Sequence, residues 1–101
     1  MTTESSRRRD SDLAALVEHL DALEGAGRRV PCRAGSVTST AIWTSDDPVE
    51  QEVAAQRCAG CPALASCGAF GLAHPRELGV WGGRTAHARR RRPRFDPSVA
   101  A

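Results

Sequence analysis

The chain is 101 residues long, with 14 arginines, 12 acidic side chains and a formal net charge of +2 at pH 7, which fits one small domain. Its hydrophobic share of 41% overstates the core, because 17 of those residues are alanine and 4 are cysteine; so little bulky apolar surface calls for a covalent or metal staple. No apolar run is long enough for a membrane span, and the polar start lacks the apolar stretch of a secretion signal. A cytoplasmic, reducing compartment is therefore expected, where cysteines serve as metal ligands or redox thiols rather than structural disulfides.

Residues 1–10 read as a disordered polar N-terminus carrying Arg7, Arg8 and Arg9. From Ser11 the chain turns periodic, with Leu13, Leu16, Val17, Leu20 and Leu23 spaced three and four apart along one helix face. Asp10 or Ser11 caps that helix, and Gly25 and Gly27 end it. Residues 28–45 show no sustained period and read as a loop around Cys32, with Trp43 at its end. Asp47-Pro48-Val49-Glu50 predicts a helix over about 48–58: Asp47 as cap, Pro48 at the first helical position and Glu50 completing a capping box. Gly60 breaks it, and Pro62 opens another helix, with Leu64, Cys67, Phe70 and Leu72, that ends before Pro75. Gly79-Val80-Trp81-Gly82-Gly83 reads as a tight turn. A last short helix is expected from Thr85 to Arg92, where Pro93 stops it, followed by a tail over 95–101. The expected fold is thus mostly α, a small four-helix-type domain over residues 11–83 with a basic segment over 84–94.

Charge is unevenly placed: residues 1–83 sum to −3, residues 84–94 to +6 and the last seven to −1. Such a concentrated basic segment is of the kind that binds a polyanion, although a solvated tail has the same composition. The cysteines follow the pattern Cys32-x25-Cys58-x2-Cys61-x5-Cys67. Ala59 and Gly60 make a turn small enough for two thiolates to face one side. Cys67 then follows one and a half turns into the next helix, and Cys32 arrives from the long loop. Four thiolates suit tetrahedral zinc or an iron–sulfur cluster. Structural zinc usually uses two short cysteine pairs, whereas a cluster accepts scattered ligands, so the spacing favours the cluster and leaves zinc and unliganded thiols open. His19, His74 and His87 have no partner at metal-ligand spacing.

Pro31-Cys32, Cys58-Ala59-Gly60-Cys61-Pro62, Cys67, Gly79-Val80-Trp81-Gly82-Gly83 and the basic segment behind them together resemble the WhiB-like proteins of actinobacteria and their phages, over about residues 30–92. The resemblance implies a transcription factor whose Cys32, Cys58, Cys61 and Cys67 hold a 4Fe-4S cluster sensitive to oxygen and nitric oxide. It further implies binding to region 4 of the principal sigma factor of RNA polymerase, with Trp81 as the contacting aromatic and Val80, Gly82 and Gly83 around it. Many relatives carry paired phenylalanines after the first cysteine where this chain has Ile42-Trp43. Trp43 is accordingly either a second contacting aromatic or a cover for the cluster. Promoter DNA is expected to meet Arg84, Arg89, Arg90, Arg91, Arg92 and Arg94, mostly at phosphates, because Arg91 stands where a minor-groove hook would need glycine.

The implied protein is no enzyme and has neither a small-molecule substrate nor a membrane partner. Two other readings stand beside it. Cys58 and Cys61 could act as a thiol–disulfide reductase after cluster loss, although no thioredoxin-like βαβ pattern surrounds them. A zinc-stabilised DNA-binding or adaptor module is the other.

Overall fold

Three of the helices start where a side-chain oxygen accepts one of their free N–H groups. The computed structural model describes residues 3–91 and contains α1 (Thr3–Gly25), α2 (Val37–Thr40), α3 (Pro48–Arg57), α4 (Leu64–Ala73) and α5 (Ala86–Arg90), with short 3-10 turns at Pro31–Arg33, Ala41–Thr44 and Cys58–Gly60. Arg92, Arg94 and the tail over 95–101 lie outside the described residues. The Asp47 carboxylate accepts from the Val49 N–H at 2.9 Å, and Pro48 follows at the first helical position of α3. Glu50 does not close the capping box directly. It accepts from the Ser45 hydroxyl, which in turn accepts from the Asp47 N–H. Thr85 caps α5 through the Ala88 N–H, and Ser36 caps α2 through the Ser39 N–H.

The loop expected over 28–45 is thus a run of single helical turns, which are too short to leave a period in the sequence. The first helix also departs from its expected start: it begins at Thr3, so the segment read as disordered is helical from there on. Two tertiary contacts anchor the polar half of this helix, at Arg9 and at Asp12. Arg9 forms a two-pronged ion pair with Glu77, at 2.7 and 2.9 Å, and His74 Nε2 meets Asp12 at 2.8 Å. The other end of α1 closes as expected, with Gly27 at φ 82° and the Arg28 N–H returning to the Leu23 carbonyl, the Schellman arrangement.

Burial sorts into two small groups of side chains. Leu16, Leu20, Val30, Ala63 and Phe70 form the first, between α1 and α4. Trp43, Ala54, Cys58 and Val80 form the second, between α3, the turn before it and the glycine-rich turn. Val17, expected on the apolar stripe of α1, is exposed instead. Cys32 packs against both groups, so the seam between the two halves of the core is also where the cysteines gather.

Among the described residues the only strand-like pairing is a bridge between Trp81 and Arg84, with reciprocal backbone bonds of 3.1 Å. Gly82 and Gly83 at its tip have φ of 59° and 78°, as a two-residue type I′ turn requires. A Cβ on Gly82 would run into the backbone of Gly68 and lie 2.9 Å from the Leu64 carbonyl oxygen. The turn therefore lies directly on α4.

Candidate metal centre and its basic flank

Cys32, Cys58, Cys61 and Cys67 line one pocket, closed by Leu20, Val30, Trp43, Ala63, Leu64 and Val80. None of the four is in a disulfide. Each is delivered by a different local device. Cys32 sits in the 3-10 turn opened by Pro31, Cys58 caps the end of α3, Cys61 follows the tight Cys58–Gly60 turn, and Cys67 lies in α4.

Hydrogen-bond donors point at the sulfurs. Trp43 Nε1–H donates to Cys58 Sγ at 3.4 Å, the Ala63 N–H donates to Cys61 Sγ at 3.3 Å, and the Gly82 N–H donates to Cys67. Such donors stabilise negative charge on sulfur, and they tune thiolate-bound metal centres.

Burial pushes the Cys67 thiol up to about 11, against the Gly82 bond, and the neighbouring cysteines add to the rise. Burial also raises Cys32, with Cys61 and Cys58 adding to the effect and Arg33 opposing it. At neutral pH these two thiols hold their protons unless a cationic centre displaces them. The donor set, its apolar lining and its N–H groups fit a thiolate-bound metal group. Among the described residues no three His, Cys, Asp or Glu side chains converge on one point closely enough to hold a single ion.

Around this pocket the aromatic and basic residues sort differently from the sequence expectation. Trp81 is half-buried, its ring 4.7 Å from Phe70 between centroids and its Nε1–H donating to the Leu78 carbonyl at 2.8 Å. Gly82 and Gly83 are partly exposed beside it. Val80, expected at a partner surface, and Trp43, expected either there or as a cover for the cluster, are 6% and 7% exposed. Both belong to the wall of the cysteine pocket, Trp43 with its indole N–H aimed at Cys58.

Arg84, Arg90 and Arg91 are exposed as expected. Arg89 is corrected: it is 2% exposed, and its guanidinium donates to five backbone carbonyls, so it does not reach a phosphate. Burial, with Arg90 adding, pulls its pKa below the usual arginine value. The sulfur-directed N–H of Trp43 and the ion pair between Arg9 and Glu77 had escaped the sequence reading as well. One signal for Arg89 was present: it stands three residues after Ala86, on the inward face of a helix capped by Thr85, but it was camouflaged by identical neighbours.

Residues 28–92 match the family of the transcription factor WhiB, a stretch that takes in all four cysteines and the glycine-rich turn. The transcriptional regulator WhiB7 of Mycolicibacterium smegmatis is 36% identical over 72 residues, covering 67% of this chain and 67% of its own length. The transcriptional regulator WhiB4 of Mycobacterium marinum is 40% identical over 70 residues, covering 62% of this chain and 60% of its own length. No solved structure matches the chain. Because the family match spans well over half the sequence and coincides with the cysteine pocket and the turn that covers it, this chain belongs to the WhiB family of transcription factors.

Proposed function

We propose that this regulator holds a 4Fe-4S cluster on Cys32, Cys58, Cys61 and Cys67, docks on region 4 of the principal sigma factor through the Trp81 turn, and contacts promoter DNA through the arginines that follow. The carrying observation is the placement of all four cysteines around one apolar pocket, within the stretch that matches the WhiB family. Zinc draws its sulfurs to about 2.3 Å from one centre, whereas a cluster attaches each thiolate to a separate iron and so accommodates a wider set. The N–H groups of Trp43, Ala63 and Gly82 would orient the sulfurs and offset their charge, and Leu20, Val30 and Trp43 would keep water out. When bound, the cluster supplies a centre that oxygen or nitric oxide can attack.

Trp81 supports the docking half of the reading. Its N–H is already engaged within the turn, so the part of its ring not covered by Phe70 is left to pack against a partner, the role in which tryptophan dominates interface energetics. The chain acts in the cytoplasm by binding, with no substrate turned over.

The experiment is anaerobic purification together with sigma region 4. A brown protein with broad visible absorption, about four iron and four sulfide per chain, and co-purification that is lost on exposure to air or nitric oxide is the expected result. A colourless folded protein holding zinc would replace the cluster with a structural metal. Turnover of a disulfide substrate by Cys58 and Cys61 in the cluster-free chain would restore the reductase reading.

A further inference from the structure

Arginine is seldom fully buried unless its donors are matched, so the burial of Arg89 in a run of exposed arginines needs an account. Its Nη1 reaches the carbonyls of Gly71, His74 and Pro75 at 3.3, 3.4 and 3.2 Å. Its Nη2 reaches those of Glu77 and Gly79, both at 2.7 Å. These are carbonyls of the last turn of α4 and the segment behind it, which have no helical N–H to accept and where a cation also meets the negative end of the helix dipole.

Room for this side chain depends on Gly71, where a Cβ would lie 3.0 Å from Arg89 Cδ and 2.7 Å from Trp81 Cβ. One donor is left over: Nε is buried without a partner. The fit is therefore to the five carbonyls rather than to the guanidinium as a whole.

The consequence lies outside the buried group. Helix α5 has five residues, too few to hold together on local bonds alone, and only Ala86 and Arg89 of it are buried. Arg89 thus fixes where α5 sits. That placement puts Arg90 beside Arg76, and together with Pro75 they line one open groove. Both are exposed. Arg9 and Arg33 are neutralised by Glu77 and by Asp21 with Glu24, whereas Arg76 and Arg90 have no carboxylate partner among the described residues, so their charge remains available to an anion.

We infer that Arg89 is a positioning residue that fastens α5 to residues 74–79, and that Arg76 and Arg90 thereby form one phosphate-binding face for duplex DNA. The inference rests on the DNA-contacting half of the proposed function and extends it to Arg76, outside the basic segment.

The test is binding of the full-length, cluster-loaded chain to a short labelled duplex across a salt series. Arg76→Gln and Arg90→Gln should each flatten the slope of log affinity against log salt by about 0.9. Arg29→Gln, just past the end of α1 remote from the Arg9–Glu77 pair, should leave it unchanged. Arg89→Lys keeps the charge, but one ammonium cannot span five carbonyls, so it should flatten the slope by about 0.9 or more as Arg90 loses its place. In the unsubstituted chain the Arg89 guanidinium protons should exchange slowly by NMR, a signature that does not depend on any variant folding.

A normal slope in Arg89→Lys, or fast guanidinium exchange, overturns the positioning role. A normal slope in Arg76→Gln alongside a flattened one in Arg90→Gln overturns the shared face while leaving the DNA-contacting reading intact. If both variants bind as the parent does, that reading fails and takes the inference with it.

Discussion

Two tryptophans that a sequence presents as equals part company by where their N–H groups go. The Trp43 indole donates to Cys58 Sγ, so Trp43→Phe removes a bond to sulfur while keeping most of the ring packing. A donor to sulfur favours the more negative, reduced state of a thiolate-bound centre, and the variant should lower the reduction potential of the loaded protein in a redox titration. An unchanged potential would show that this bond has no electronic effect. Trp81→Ala should weaken binding to sigma region 4 by about 2 kcal/mol or more with visible absorption retained; loss of the absorption instead would assign Trp81 to the core, beside Phe70. Gly82→Ala meets both a left-handed backbone and the Gly68 backbone. It should lose about 3 kcal/mol or more in thermal or denaturant unfolding. The gathering of the four cysteines and this glycine turn were legible from spacing, because close approach and positive φ restrict residue type. Trp43 and Arg89 were not, because nothing in their immediate neighbours records which distant atom each one meets.

At the scale of elements, what could be read was what is local. The start of α3 follows from Asp47 and Pro48, and the end of α1 from Gly27, since caps involve groups only a few residues apart. The start of α1 escaped because its ion pair at Arg9 reaches Glu77, 68 residues further on, and we expect that pair to hold the first turns. That dependence has a pH signature. The hydrogen bond from Arg9 holds the Glu77 carboxyl below its usual range, more than its burial raises it. A depressed carboxylate contributes stability above its unfolded pKa, about 4.3 for glutamate, and loses it as pH falls through the lower folded value. Arg9→Gln should therefore melt at a lower temperature than the parent at neutral pH, with the gap closing as the pH drops below about 4. A gap of constant size through that range would show that the first turns of α1 are held by something other than the ion pair.

For the molecule as a whole, the helical class was legible in the run of caps and breakers, and the smallness of the core in the shortage of bulky apolar residues. The division of the core into two groups joined at Cys32 was not, since each group draws on residues far apart in the chain. Backbone ordering costs about 1 to 2 kcal/mol per residue, and two such small groups offset little of it without a group that spans their seam. Replacing any one of the four cysteines by serine should therefore abolish both visible absorption and a cooperative unfolding transition, with loss of most helical circular dichroism. A cysteine variant that still unfolds cooperatively without metal would show that the two halves hold each other unaided.

The inward turn of Arg89, together with the carboxylates on Arg9 and Arg33, also bears on how the regulator spends its time in a cell. A chromosome presents millions of competing sites to any cationic surface, and retention on them rises steeply with each phosphate a protein can neutralise. With three of its 14 arginines engaged internally, fewer charges are open to phosphate, and under the proposed function the free protein should leave arbitrary sequence quickly. On that proposal more copies would remain in solution to search for a protein partner, and occupancy of a promoter would follow the abundance of that partner rather than the bulk of the DNA.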